Sequence, residues 1–271
     1  MAYTRMHGAG NSFVVIDNMD GGLEKARLSQ LAEELCTRYG SDGILVTCPA
    51  EKLEADFGML YYNADGSLGE MCGNGARCIA RYGFEHGLAD NPDCIRILAT
   101  AGVVTGRRIS EELYEVRLND PLIAEPHRPA SARGVEYDCA YAELGNPGIP
   151  HAVVLTPEED FNDMEALMER GRELRYSPAF PKGANVTFVY LTGGSSVRAI
   201  TFERGVEDFT LACGTGCGAT AVSLALRGML PENHIEIDMP GGHLSVRFTK
   251  DGGEVRDIFL TGPTAYITDD K

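Results

Sequence analysis

The sequence predicts an α/β chain of the α+β type, built as two similar halves. Three observations predict it. The motif Cys-Gly-x-Gly occurs twice, as Cys72-Gly73-Asn74-Gly75 and as Cys213-Gly214-Thr215-Gly216, each after a polar turn and each opening a stretch of small residues. The 271 residues suffice for two ordinary domains. The 32 glycines and 13 prolines require many tight turns, and therefore many strands.

The elements follow in order. Phe13-Val14-Val15-Ile16-Asp17 reads as a buried strand, and Leu28, Leu31, Ala32 and Leu35 recur at helical spacing with Gly40 as the stop. Strands are expected over 43–47 and 57–62, then a short helix over 75–87 with Ala76, Ile79, Ala80 and Gly83 inward. Hairpin-like runs cover 95–98, 103–106 and 113–118. The stretch 119–133, with Pro121, Pro126 and Pro129, breaks regular structure and is read as the link between halves. Beyond it, strands are expected over 152–155, 185–191, 197–202, 235–239, 244–248 and 258–260, and helices near 163–175 and 216–227. Each half is then a strand, a turn, a cysteine and a helix.

Composition narrows the function. Apolar content of 44% with 24% charged residues suits a soluble globular protein. A formal net charge of −16 argues against nucleic acid or an anionic membrane as partner, since both attract a basic surface. No run has the length of a membrane span, and the first residues lack a signal-peptide layout. We therefore expect a cytoplasmic protein with reduced thiols, and its eight cysteines are not read as a disulfide framework. Neither Cys72-x5-Cys78 nor Cys213-x3-Cys217 has zinc-ribbon spacing, so no metal is expected. Cys36, Cys48 and Cys94 read as small packing residues.

The repeated cysteine carries the chemistry. A cysteine at a helix N-terminus sits where the dipole and free N–H groups favour its thiolate. Two of them suggest paired thiols on one site, one acting as base and the other as acid. Gly73-Asn74 and Gly214-Thr215 place backbone N–H groups beside each thiol, where a carboxylate could dock without a cation. Asn11 and Asn63 lie in turns and read either as turn formers or as ligand contacts. Glu203-Arg204 reads as an exposed ion pair or as a partner for a substrate ammonium. His151 is a structural histidine or one that tunes a thiol. The segment from His7 to Phe13 precedes a strand rather than a helix and lacks the last glycine of a dinucleotide loop, so nucleotide binding is rejected.

Taken together, the segments Met6–Phe13, Tyr62–Ser67, Cys72–Cys78, Glu203–Gly205, Ala212–Gly216 and Leu260–Pro263 strongly resemble the diaminopimelate epimerases. The resemblance implies two pseudo-symmetric domains, each a strand-rich barrel around a central helix, with the active site in the cleft between them. It implies an N-terminal half over 1–118 with a returning strand within 255–271, and a C-terminal half over 119–254. By matching position, Cys72 and Cys213 would be the acid–base pair, with His151 and Glu203 adjusting their ionisation. Asn11, Asn63, Gly73, Asn74, Asn185, Glu203, Arg204, Gly214 and Thr215 would contact substrate.

The implied reaction is conversion of LL-diaminopimelate to the meso form for lysine and peptidoglycan synthesis, with no cofactor; neither motif carries a lysine for pyridoxal phosphate. A homodimer with a small-molecule amino-acid substrate is expected. The alternatives are a racemase of another amino acid, such as histidine, or a thiol-redox or ligand-binding protein on the same scaffold. Three departures bear on the substrate. Ile149 stands where the family commonly has Asn in Gly-Asn-Pro-His, and nearby Asn146 is out of register. The interval from Arg204 to Cys213 is one residue longer than common, and Phe209 precedes Thr210 where Glu is usual. Cys217 adds a thiol one turn beyond Cys213, read as packing.

Overall fold

The structure, a computed structural model, describes residues 3–50, 55–69 and 71–268. They divide into two compact units, residues up to Arg117 with those from Thr261 onward, and Leu118–Leu260.

In the first unit the elements run β1 (Thr4–Gly8), β2 (Asn11–Asp17), α1 (Lys25–Tyr39), β3 (Gly43–Cys48), β4 (Phe57–Asn63), β5 (Leu68–Gly69), α2 (Gly73–Glu85), β6 (Ile95–Ala99), β7 (Gly102–Arg108) and β8 (Leu113–Arg117). The second unit carries β9 (Pro121–Ala132), β10 (Val135–Leu144), β11 (Ile149–Leu155), α3 (Glu158–Phe161), α4 (Met164–Arg175), β12 (Asn185–Gly193), β13 (Ser196–Phe202), β14 (Phe209–Thr210), α5 (Gly214–Leu226), β15 (His234–Met239) and β16 (Gly242–Asp251). The last strand, β17 (Glu254–Tyr266), begins in the second unit and ends in the first.

The strands of the first unit close on themselves. Around the ring, β17 pairs antiparallel with β1, and β1 with β2; β2 is parallel to β3, and β3 antiparallel to β4. Then β4 is parallel to β6, β6 and β7 are antiparallel, as are β7 and β8, and β8 returns to β17. Eight strands therefore form a closed barrel, which leaves no free edge. Helix α2 packs against β1, β2, β3, β4, β6, β7 and β8, which places it on the barrel axis.

That position explains its composition. Every residue from Gly73 to Gly83 is buried, where helical periodicity predicts one inward face. A helix enclosed on all sides needs small residues wherever the wall comes close. A Cβ at Gly83 would lie 2.3 Å from Phe57 Cζ, and one at Gly75 2.9 Å from Leu45 Cδ2. Outside the barrel, α1 lays Leu28, Leu31, Ala32, Leu35 and Cys36 on Val14, Ile16, Ile44 and Val46, the outward residues of β2 and β3. Gly40 ends α1 in the left-handed region, φ 62°, as expected of a helix stop.

The second unit repeats this plan. The pairings run β9–β10 and β10–β11 antiparallel, β11–β12 parallel, β12–β13 antiparallel, β13–β15 parallel and β15–β16 antiparallel, with β16 next to β17. The sequence of pairing types is that of β17-β1-β2-β3-β4-β6-β7 in the first unit. The short β14 on β13 matches β5 on β4. Helix α5 packs against β9, β10, β11, β12, β15 and β16. Outside, α4 buries Leu167 and Leu174 in a core with Phe180, Phe188 and Phe202.

One sequence expectation is overturned. The proline-rich stretch 119–133 is not an irregular link but contains β9, twelve residues paired along β10. Two of its three prolines fall where a missing N–H is tolerated: Pro121 is the first residue of the strand, and Pro126 lies in the register shift opposite Cys139–Tyr141. The strands β1 and β10, the two-residue strands β5 and β14, and the short α3 lie outside the expected set. Both cysteine helices also begin two residues earlier than periodicity suggests, at Gly73 and Gly214.

Candidate active site

Each unit presents one cysteine at the mouth of its central helix. Cys72 is the N-cap of α2, with φ −132° and ψ 115°, and Cys213 is the N-cap of α5, with φ −115° and ψ 106°. Each Sγ accepts the backbone N–H three residues on, from Gly75 and from Gly216, both at 3.4 Å. The thiol thus takes the capping place of a serine or aspartate oxygen. Glycine at that third position lets the helix start seat against the wall: a Cβ at Gly216 would lie 2.9 Å from Thr201 Oγ1.

In the first unit, Cys72 Sγ donates towards Asn11 Oδ1 at 3.7 Å, and Asn74 Nδ2 donates to the same oxygen at 3.4 Å. Asn11 opens β2 and Asn74 lies in the first turn of α2, so the barrel brings together Asn11, Cys72, Gly73 and Asn74. Asn63 ends β4 and turns into its own hairpin, where Nδ2 donates to Ser67 Oγ at 2.9 Å and Ser67 in turn binds Asp65. Its turn-forming role is therefore realised.

In the second unit, His151 on β11, Asn185 on β12 and Thr215 on α5 converge. His151 Nε2 lies 3.0 Å from Thr215 Oγ1, and that hydroxyl lies 3.6 Å from Cys213 Sγ. Asn185 Nδ2 donates to Pro150 O at 3.3 Å, and its Oδ1 accepts the Arg204 N–H at 2.8 Å. Glu203 Oε1 accepts the Thr210 hydroxyl at 2.6 Å, while Arg204 Nη1 donates to Lys182 O at 3.1 Å. These two neighbours point to different partners rather than to each other.

Burial sets the ionisation here. Helix-end position alone would lower the Cys213 thiol, but the structure reverses that expectation. Burial pushes it well above the usual cysteine value, and the Glu203 charge adds to this; hydrogen bonds from Thr215 and Gly216 oppose it. Burial also lowers His151 to about 3, with the nearby Arg204 charge helping, so its imidazole is neutral. Its Nδ1 is buried without a hydrogen-bond partner among the described residues. Protonation on Nε2 would make His151 the donor to Thr215, freeing the Thr215 hydroxyl hydrogen for Cys213.

Phe209 is not an empty carboxylate position. Its ring packs edge-on against Phe188 and Phe202, with centroids 6.3 and 6.0 Å away, and it belongs to the core of its unit. Ile149 is half-buried opposite Leu144 at the start of β11. Cys217, one turn beyond Cys213, is buried in α5. Among the described residues no group of histidine, cysteine and carboxylate side chains could hold a metal ion, and no helix is long and apolar enough to cross a membrane. Sequence reasoning passes over Arg77, a fully buried guanidinium in the first turns of α2. The available signal is a charge only five residues after Cys72, in the small-residue stretch that opens the helix.

The comparisons agree with this architecture. The fold is shared with the crystal structure of a phenazine biosynthesis protein of the PhzF family from Bacillus anthracis, at TM-score 0.75 and 15% identity over 98% of this chain and 97% of that one. That likeness defines a fold. A model of the diaminopimelate epimerase family matches residues 3–112 and 144–267. A diaminopimelate epimerase of Hydrogenobaculum sp. is 35% identical over 98% of this chain and 96% of its own length, and one of Halothermothrix orenii is 32% identical over the same shares. The chain belongs to the diaminopimelate epimerase family and is an isomerase acting as an amino-acid epimerase.

Proposed function

We propose that the protein converts LL-diaminopimelate to meso-diaminopimelate without a cofactor, with Cys72 and Cys213 acting on opposite faces of one α-carbon. The observation that carries this reading is the repeated N-cap cysteine. Two units of the same strand plan each start a central helix on a thiol with similar backbone angles and the same N–H contact. One thiolate takes the α-proton, and the C–H electron pair passes to the α-carbon and its carboxylate. The other thiol donates its proton to the opposite face. The elevated Cys213 thiol suits the donor, which leaves the base to Cys72.

Backbone N–H groups at Gly73, Asn74, Gly214 and Thr215 are the natural seat for the carboxylate, where they meet the charge that develops during proton removal. His151 and Glu203 tune Cys213, the first through Thr215 and the second through its charge.

Substrate choice rests on the polar set. Asn11, Asn63, Asn185, Glu203 and Arg204 together offer groups for two carboxylates and two ammonium ions, as diaminopimelate requires. Ile149 removes one polar contact, worth roughly 1–3 kcal/mol if the substrate group is left unpaired. Phe209 packs against the core and supplies no carboxylate either; the retained polar set outweighs these two losses. The test compares kcat/KM for LL-diaminopimelate, histidine, lysine and glutamate on one preparation. Diaminopimelate should lead. A histidine value more than tenfold higher would overturn the substrate while leaving the thiol chemistry standing.

A further inference from the structure

Arg77 lies fully buried inside the first barrel, one turn into α2, and the proposed chemistry makes no use of it. A guanidinium keeps its charge in proteins and can only donate hydrogen bonds. Burial of such a group, near the positive end of a helix, is costly unless its donors are well used. Here Nη2 donates to Asn74 Oδ1 at 2.7 Å and Nη1 donates to Gly73 O at 3.3 Å. Both acceptors belong to the Cys-Gly-Asn-Gly motif itself. The matching position in the other unit, five residues after Cys213, is Gly218, so the device is confined to the first unit.

An asparagine amide has two ends, and what faces it decides which way it points. Because Arg77 cannot accept, Asn74 must turn its oxygen inward to the guanidinium. Its Nδ2 is then aimed at Asn11 Oδ1, 3.4 Å away, the oxygen towards which Cys72 Sγ also donates. With its oxygen taken by the Asn74 amide, and by the Cys72 thiol only while that thiol is protonated, Asn11 presents Nδ2 as its remaining polar group. A row of hydrogen bonds runs from a fixed charge through two amides and ends in a donor.

We propose that Arg77 is a positioning residue that sets the direction of the Asn74 and Asn11 amides, so that Asn11 offers an N–H donor to an anionic oxygen of the substrate. This rests on the reading of Asn11 as a substrate contact in an epimerase. A substrate that put an ammonium group at this point would meet a donor rather than an acceptor, so the relay also selects for the carboxylate end.

The test uses Arg77→Lys, Arg77→Gln and Asn74→Asp in the full chain, with steady-state kinetics on LL-diaminopimelate and a thermal melt of each. Glutamine can donate or accept, so it loses the directing effect; lysine keeps it. Asn74→Asp still accepts from Arg77 but has no hydrogen to pass to Asn11, and it needs no change in the buried cation. Arg77→Gln and Asn74→Asp should each raise KM by roughly tenfold with a smaller loss in kcat, and Arg77→Lys should restore most of KM. In the wild-type protein the Asn11 side-chain amide nitrogen should shift in NMR spectra on substrate binding, and this shift should be lost in Asn74→Asp. A folded Asn74→Asp variant with KM within twofold of wild type overturns the relay. An inactive wild-type protein would instead sink the functional reading, so the two failures are distinguishable.

Discussion

Residue scale shows where local sequence suffices. The two cysteines are legible because a Cys-Gly-x-Gly cap is a contiguous signal, and the structure forms each cap as the motif suggests. Arg77 is not legible, because its burial depends on strands far away in the chain that enclose α2. Phe209, which stands where Glu is usual, packs edge-on against Phe188 and Phe202, contacts made with strands earlier in the chain that the local sequence does not show. Cys72→Ala and Cys213→Ala should each lower epimerisation by at least roughly a thousandfold, while Cys217→Ala should retain most activity, measured as kcat. Cys78 is fully buried beside Gly8, so Cys78→Ala should keep its chemistry and lose about 1 kcal/mol of stability in urea unfolding.

His151 also gives a pH prediction. Its folded-state value is about 3 against 6.5 in the unfolded chain. Above pH 6.5 it is neutral in both states and costs nothing. As the pH falls, the unfolded chain takes up a proton that the folded chain refuses, so stability is lost from about 6.5 down to about 3. Wild type should therefore lose more stability between pH 7 and pH 4 than His151→Gln, by up to a few kcal/mol, read from urea midpoints. Equal losses in the two proteins would contradict a buried, neutral imidazole.

At the element scale, periodicity finds helices that lie on a surface and strands that are short and apolar. Helix α1 follows its pattern residue by residue, because one face meets the barrel and the other meets water. Helix α2 is amphipathic in sequence, with Asn74, Arg77, Arg81 and Glu85 along one side, yet it is buried all round from Gly73 to Gly83 because the barrel surrounds it. Strand β9 is hidden by three prolines, since a residue count cannot show that two of them fall at a strand start and a register shift. The closeness of wall and helix makes Gly83→Ala a sharp probe. Its Cβ would lie 2.3 Å from the Phe57 ring, so the variant should lose about 1–3 kcal/mol of unfolding free energy despite alanine's better helix propensity. A stabilised Gly83→Ala protein would mean that α2 is not held tightly within the ring.

At the scale of the whole molecule, the repeat of the cysteine motif foretells the repeat of the strand plan, pairing type by pairing type. Closure depends on β17 pairing with β1 across nearly the entire length of the chain; no local pattern carries that information, and only the family resemblance implied a returning strand. In the proposed reaction the two units supply one thiol each to a single proton transfer. The most direct measurement follows α-hydrogen exchange during the early conversion of LL-diaminopimelate in deuterated water. With two separate thiols, the meso product should carry deuterium at the inverted α-carbon while recovered LL substrate still carries hydrogen. Equal early labelling of substrate and product would indicate a single exchanging base, and conversion without solvent deuterium in the product would rule out the acid–base pair.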